Sequence, residues 1–196
     1  MTRTLLVTND FPPTIGGIQS YLRDFVNTLD PRSIVVFAST QDEQAAAAFD
    51  AQQTYRVHRW PGSILLPTPS VSRRMQELIR AEDIDTVWFG AAAPLALLGP
   101  AAKRAGAWKV IATTHGHEVG WSMLPGARQA LRRIGTHADV VTYISRYTRR
   151  RLERAFGPHP EWVHLPSGVS TDVFQPATKE DKARAREELE LDLPLI

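Results

Sequence analysis

The 196-residue chain contains no cysteine. That absence excludes disulfide frameworks, thiolate nucleophiles, iron–sulfur clusters and all-thiolate zinc sites, and it suits a reducing compartment. Long apolar runs are missing too. The amino terminus, Met-Thr-Arg-Thr-Leu-Leu-Val-Thr-Asn-Asp, holds an apolar stretch far shorter than a signal-peptide core, so no secretion signal is expected. The longest weakly polar stretch, Val87 to Ala102, is broken by Gly90, Pro94, Gly99 and Pro100. It falls short of the ~20 residues that a spanning helix needs. A cytoplasmic location is the resulting expectation. Nor is there a large charge of one sign: 23 Lys and Arg face 21 Asp and Glu, a formal net charge of +2, so overall charge calls for no polyanionic partner. Two nucleotide signatures are also absent. There is no Gly-x-Gly-x-x-Gly with a carboxylate closing the second strand candidate, which ends in Ala38-Ser39-Thr40, and no Gly-Lys-Ser/Thr phosphate loop.

What the chain does contain is an alternation of short Val- and Ile-rich runs with segments of helical period. The runs Arg3 to Thr8, Ser33 to Ala38, Tyr55 to Arg59, Thr86 to Phe89, Lys109 to Thr114, Val140 to Ile144 and Trp162 to Leu165 read as strands. Between them, Ile18, Leu22, Phe25, Val26 and Leu29 form one apolar helical stripe. Val71, Met75, Leu78 and Ile79 form a second, and Leu124, Ala127, Leu131, Ile134 and Ala138 a third, with Arg128, Arg132 and Arg133 directed away from it. Strands buried on both faces and joined by helical crossovers make a doubly wound α/β domain, a Rossmann-like parallel sheet. Ligands of such sheets bind outside the carboxyl ends of the strands, which directs attention to the segments after Thr8, Phe89, Thr114 and Leu165. With 43% hydrophobic residues the chain supports one good core but not two large domains. Residues 1–170 read as that domain. Beyond it, Thr178 is placed to cap a polar helix running to about Leu191, and Asp192-Leu-Pro-Leu-Ile opens another apolar run. Residues 171–196 therefore read as a linker and the start of a further domain.

Three loops could carry chemistry. Thr8-Asn-Asp-Phe-Pro-Pro-Thr-Ile-Gly-Gly-Ile-Gln-Ser-Tyr follows the first strand and opens the first helix. Glycines there let backbone N–H groups approach an anion, and a helix N-terminus adds about half a positive charge, so phosphate is the natural ligand; a plain tight turn at Gly16 and Gly17 is the other reading. Thr113-Thr-His-Gly-His-Glu-Val-Gly-Trp follows the fifth strand. His115, His117 and Glu118 could act as acid and base, grip a polar substrate, hold a metal, or be ordinary loop residues; His-x-His-Glu matches no zinc signature, and no metal is expected. Pro166-Ser-Gly-Val-Ser-Thr-Asp-Val-Phe-Gln-Pro, after the last strand, is equally a structural joint or a binding element.

Charge is concentrated where the total is not. Eight arginines lie between Arg128 and Arg154 (Arg128, Arg132, Arg133, Arg146, Arg149, Arg150, Arg151, Arg154), opposed only by Asp139 and Glu153. Such a run is a solvated helix face or a contact for anionic lipid. Nucleic acid is not expected, since Tyr143, Tyr147 and Phe156 follow no stacking pattern and no nucleic-acid module is present.

Taken together, the Gly-Gly-Ile-Gln loop, the Thr-x-His after a middle strand and the Gly-Val-x-x-x-x-Phe-x-Pro segment resemble the amino-terminal half of the retaining, sugar-nucleotide-dependent glycosyltransferases with two Rossmann-like domains, the GT-B architecture. Val7-Thr-Asn-Asp-Phe-Pro-Pro, Val87-Trp-Phe-Gly-Ala-Ala-Ala-Pro-Leu-Ala-Leu-Leu and His115-Gly-His-Glu-Val-Gly-Trp-Ser-Met-Leu-Pro are similar to the phosphatidylinositol mannoside mannosyltransferases among them. The resemblance spans essentially this whole chain and the first half of the family's enzyme. It implies transfer of mannose from GDP-mannose to phosphatidylinositol monomannoside in α-1,6 linkage, at the inner face of the cell membrane. In that case the present chain supplies the acceptor side and a carboxyl-terminal half holds most of the nucleotide, with no tightly bound cofactor.

By the same resemblance Gly16 and Gly17 approach the donor pyrophosphate, and Gln19, His117 and Glu118 face the acceptor. His115 is the active-site histidine. Arg128, Arg132, Arg133, Arg149 and Arg150 would then meet anionic lipid. The chain has Ser167-Gly-Val-Ser170 where the family often has Asn-Gly-Val-Asp, and the family's donor-holding basic pair and glutamates fall beyond residue 196. Little turnover is expected of this chain alone. The rival readings are transfer to a soluble acceptor and a non-catalytic module that recognises phosphorylated ligands.

Overall fold

The structure, a computed structural model, describes residues 2–190. The apolar run from Asp192 and the expected helix end at Leu191 lie outside the described residues. Two compact units divide the chain, Met1–Pro166 and Ser167–Ile196.

The first unit is a seven-stranded sheet: β1 (Thr4–Thr8), β2 (Ile34–Ala38), β3 (Arg56–Arg59), β4 (Thr86–Phe89), β5 (Lys109–Thr114), β6 (Val140–Tyr143) and β7 (Glu161–His164). Every pairing is parallel, in the order β3-β2-β1-β4-β5-β6-β7. Parallel neighbours need crossovers, supplied by α1 (Gly17–Thr28), α2 (Glu43–Asp50), α3 (Pro69–Ala81), α4 (Gly99–Ala105), α5 (Glu118–Met123), α6 (Pro125–His137) and α7 (Arg146–Phe156). The order reverses at β1, so β2 and β4 flank it and a crevice opens between the loops that follow β1 and β4.

Strand alternation divides the core in two. Leu6, Val36 and Trp88 point to one face, where Tyr21, Leu22 and Val26 of α1 cover them. Leu5, Val7, Val35, Phe37, Val87 and Phe89 point to the other, beneath α3, α4, α6 and α7. At ~1.5–3 kcal/mol for each large apolar side chain removed from water, these two layers supply the principal drive to fold.

Helix starts are set by local chemistry. Asp42, Thr68 and Ser145 each accept a bond from a first-turn N–H of α2, α3 and α7. α1 differs: Gly16 occupies its N-cap position and offers no side-chain cap.

The expected stripes hold except at their ends. Leu29 is exposed because α1 stops at Thr28 and the chain there is extended; Leu124 is exposed because it is the extended residue that precedes α6. Among the described residues no helix is long and apolar enough to cross a membrane.

The second unit contains α8 (Lys179–Glu188), which begins with the expected Thr178 cap, reinforced by a return bond from Asp181. Ahead of it, Ser170 O accepts from Phe174 N at 2.8 Å, closing a turn in the third loop singled out from the sequence.

Candidate active site at the carboxyl edge of the sheet

The loop after β1 is fixed by side-chain bonds to backbone. Asn9 grips Leu65 in both directions, Nδ2 donating to its carbonyl (2.9 Å) and Oδ1 accepting from its N–H (2.5 Å). Arg59, paired with Asp50 at 2.7 Å, donates to the Pro12 carbonyl at 2.6 Å. So held, the loop delivers Gly16 and Gly17 to the start of α1.

The two glycines have different work. A Cβ on Gly16 would run into the Gln19 side-chain oxygen, whereas one on Gly17 would meet nothing within 4 Å. Gly16 thus makes room for Gln19, whose Nε2 donates to Asp10 Oδ1 at 3.3 Å. Gly17 faces open space. The first turn of α1 has neither a side-chain cap nor an acidic residue. Its N–H groups and the positive end of the helix are therefore available to an anion.

The loop after β5 stands on a buried polar ladder. Trp88 Nε1 donates to Thr113 Oγ1 at 2.7 Å, and Thr142 Oγ1 bonds the same atom at 2.9 Å. Just beyond Thr114, the His115 ring places Nε2 2.7 Å from the Gly90 carbonyl. A carbonyl only accepts, so Nε2 carries the hydrogen and Nδ1 is the bare, accepting nitrogen. Burial pushes the His115 pKa below the ordinary histidine value, against the opposing effects of the Gly90 carbonyl, Glu118 and Asp10. At neutral pH this is a neutral imidazole with one acceptor to offer. Its ring meets Tyr21 edge to face at 5.1 Å, and the Tyr21 hydroxyl, its pKa raised to about 12 by burial, donates to the Leu165 carbonyl at 2.7 Å. Gly90 itself must be small: a Cβ there would stand 2.7 Å from Leu22 Cδ1 and 2.9 Å from Thr8 Cβ.

Glu118 has a different task from the expected one at the acceptor. It is fully buried, and its Oε2 accepts from the backbone N–H groups of His115 (3.2 Å) and Gly116 (3.1 Å). Its Oε1 makes no hydrogen bond and lies 3.4 Å from Nε2 of the exposed His117. The carboxylate is turned into its own loop, where it braces His115 from behind. Gly116 adopts φ 105°, a conformation that favours glycine, and so lets both N–H groups converge on one oxygen.

The structure therefore brings Gly16, Gly17, Gln19, His115, His117 and Glu118 to one edge of the sheet. Asp10, Tyr21 and Gly90 join them without having been singled out from the sequence. Asp10 and Gly90 each follow a strand within a segment already marked for ligands; Tyr21 falls on the buried side of α1 and gives no sign of facing a histidine. Among the described residues no group of three or more His, Cys, Asp or Glu could hold a metal ion.

The arginines lie elsewhere. Arg128, Arg132 and Arg133 project from α6 and Arg149 and Arg150 from α7, all exposed, on the opposite face of the sheet from α1. Of the eight, only Arg149 has a carboxylate within 4 Å, Glu153 at 3.4 Å, among the described residues.

An all-parallel, doubly wound sheet whose strand order reverses at β1 is the Rossmann-like half of the GT-B fold. Residues 15–173 match the family described as Glycosyltransferase Family 4, and the chain belongs to that family. A relative from Corynebacterium glutamicum is 65% identical over 95% of this chain and 49% of its own length. It is named a GDP-mannose-dependent monoacylated α-(1-6)-phosphatidylinositol monomannoside mannosyltransferase. A relative from Mycolicibacterium smegmatis, named a GDP-mannose-dependent α-(1-6)-phosphatidylinositol monomannoside mannosyltransferase, is 56% identical over 98% of this chain and 51% of its own. The chain thus spans about half the length of these relatives. Two solved structures share the fold: HepE of Anabaena (TM-score 0.69, 13% identity, 96% of this chain and 50% of that one) and a glycosyltransferase from Rickettsia africae (0.67, 18%, 99% and 51%).

Proposed function

We propose that this chain is the acceptor-side half of a retaining mannosyltransferase. The enzyme moves mannose from GDP-mannose to phosphatidylinositol monomannoside in α-1,6 linkage, with its carboxyl-terminal half holding most of the nucleotide. The observation that carries the reading is the open N-terminus of α1 at Gly16 and Gly17 beside the neutral, half-buried His115. The relatives' names support the donor and acceptor.

In transfer, charge grows on the departing diphosphate. Backbone N–H groups and a helix dipole already aimed at that position stabilise it without reorganising. His115 Nδ1 accepts a hydrogen bond from a hydroxyl of the transferred sugar, and Gln19, oriented by Asp10, addresses the acceptor headgroup together with the exposed His117. The leaving phosphate takes the acceptor proton, so no separate protein base is required. The enzyme works as a peripheral protein at the cytoplasmic face of the cell membrane. There Arg128, Arg132, Arg133, Arg149 and Arg150 meet anionic lipid, each adding about 1 kcal/mol near such a surface.

A mass-spectrometric transfer assay with GDP-mannose and phosphatidylinositol monomannoside tests this, using the chain alone and with the downstream half supplied. Product only in the combined reaction is the expected result. A folded, combined preparation that mannosylates soluble acceptors and leaves the lipid untouched would overturn the acceptor assignment.

A further inference from the structure

One oxygen of Glu118 is left over from the bracing of its loop. The side chain is fully buried, and while Oε2 holds two backbone N–H groups, Oε1 has no hydrogen-bond partner. An ionised oxygen shut away from water needs positive charge close by. Among the described residues the only basic side-chain nitrogen within 4 Å of it is His117 Nε2, at 3.4 Å. A bare Nε2 would set its lone pair against those of the carboxylate, so Nε2 carries a hydrogen and Nδ1 is the nitrogen left to a ligand. The His117 side chain is 43% exposed, and its ring lies nearly parallel to that of His115, with 12° between the planes and 6.4 Å between the centroids. His117 is thus the outer ring of a histidine pair whose inner ring is held by the Gly90 carbonyl.

The two imidazoles differ in what they can meet. Neutral His115 offers a bare Nδ1, which suits a hydroxyl that donates. A phosphodiester is the opposite kind of ligand, with acceptor oxygens and no hydrogen to give. To bond it, His117 Nδ1 must carry a hydrogen as well as Nε2, and the ring is then an imidazolium between two anions, the Glu118 carboxylate and the phosphodiester. The geometry points to His117 as the residue that reads the phosphodiester of the acceptor, taking up a proton as it does so, with Glu118 as its positioning residue. The inference rests on the lipid-acceptor reading and names the part of the headgroup that this loop recognises. The surrounding groups leave Glu118 as the partner of His117: Asp10, on the loop after β1, acts on His115, and α7, packed on α5, brings the uncharged Thr148 to the Gly116 side of the loop.

Titration calorimetry of the complete enzyme tests this, with GDP present to fill the donor position and two water-soluble acceptors. Glycerophosphoinositol mannoside keeps the phosphodiester, and mannosylinositol lacks it. In buffers of differing ionisation enthalpy at about pH 8, the first should bind with uptake of about one proton and the second with none. The ratio of the two dissociation constants measures the preference for the phosphodiester. His117→Gln should abolish the proton uptake and cut that ratio by about tenfold, while circular dichroism remains unchanged. His117→Arg, a permanent cation, should keep the preference without the uptake. Glu118→Gln, which removes the carboxylate charge behind the ring, should reduce both. A preference and an uptake that survive in His117→Gln would overturn the assignment, as would a wild-type enzyme that binds both acceptors equally or binds neither. Binding needs no chemistry, so an enzyme that shows this coupling yet transfers mannose to neither acceptor overturns the activity reading alone.

Discussion

Removing the Glu118 carboxylate is the most discriminating perturbation of the site. Its Oε2 holds two backbone N–H groups, those of His115 and Gly116, inside a fully buried side chain. Glu118→Ala leaves both donors without an acceptor. Each unpaired buried donor costs about 1–3 kcal/mol, and because this loop is only part-buried the lower end applies, giving about 2 kcal/mol for the pair. For a chain of this size that is a drop in Tm of roughly 4–8 °C.

Glu118→Gln keeps an acceptor oxygen in place and should recover most of the loss. The two variants share one electrostatic effect: Glu118 favours the protonated form of His115, so removing its charge lowers the His115 pKa further in both. Thermal unfolding reads the first effect, and an NMR titration of the His115 ring reads the second. Glu118 does not brace the loop if the alanine variant melts with the wild type, or if alanine and glutamine lose equal stability.

Three further outcomes follow from the geometry. Gly16→Ala should break the Gln19–Asp10 bond and weaken acceptor binding, whereas Gly17→Ala, with open space around it, should leave the fold intact or stabilise it by up to ~1 kcal/mol; paired melting and acceptor-binding measurements would expose any failure to separate them. His115 has a folded pKa below its unfolded 6.5, so the unfolded chain takes up its proton first and stability falls as pH drops below 6.5 towards the folded value. His115→Gln should flatten that part of the profile, and urea midpoints with the same slope between pH 7 and 5 in both proteins would contradict this. At the other edge of the sheet, burial pushes the Glu82 pKa up, but bonds from Arg56 and His58 and the charges of Arg56 and Arg3 outweigh it and hold the carboxyl below its ordinary value. Its stabilisation is fully present above the unfolded value of 4.5 and is lost as pH falls below 4.5 through the lower folded value. Glu82→Gln should therefore cost about 2 kcal/mol at pH 7 in chemical denaturation, and little at acid pH.

Much of this architecture could be read from residues alone. All seven strands lie where the sequence runs put them: the five inner ones because a strand buried on both faces must be apolar at nearly every position, whereas the part-exposed edge strands β3 (Arg-Val-His-Arg) and β7 (Glu-Trp-Val-His) carry a weaker signal. Leu29 and Leu124 were misplaced because a periodic stripe carries no information about where the helix ends; the backbone turns extended at each, and only a cap or its absence decides that. At the candidate site, the placing of Gly16, Gly17 and His115 along the carboxyl edge was legible because the segments that hold them follow β1 and β5. Glu118 was not: the sequence shows a carboxylate beside two histidines, and whether it faces a ligand or its own backbone depends on the turn that Gly116 permits. Tyr21 was invisible for a related reason, since its partners His115 and Leu165 come from strands on the far side of β4.

The position of β1 also bears on how the chain is made. Leu5 pairs with Val35 on one side and with Val87 on the other. A nascent chain acquires the first neighbour early and waits for the second until α3 has been synthesised. Throughout that interval one edge of Leu5-Leu6-Val7 has no partner, and an unpaired apolar edge is a template for association with other chains. The two walls of the crevice are thus produced at different times on the ribosome. The span between β2 and β4 is the stretch of synthesis in which this protein most needs shielding.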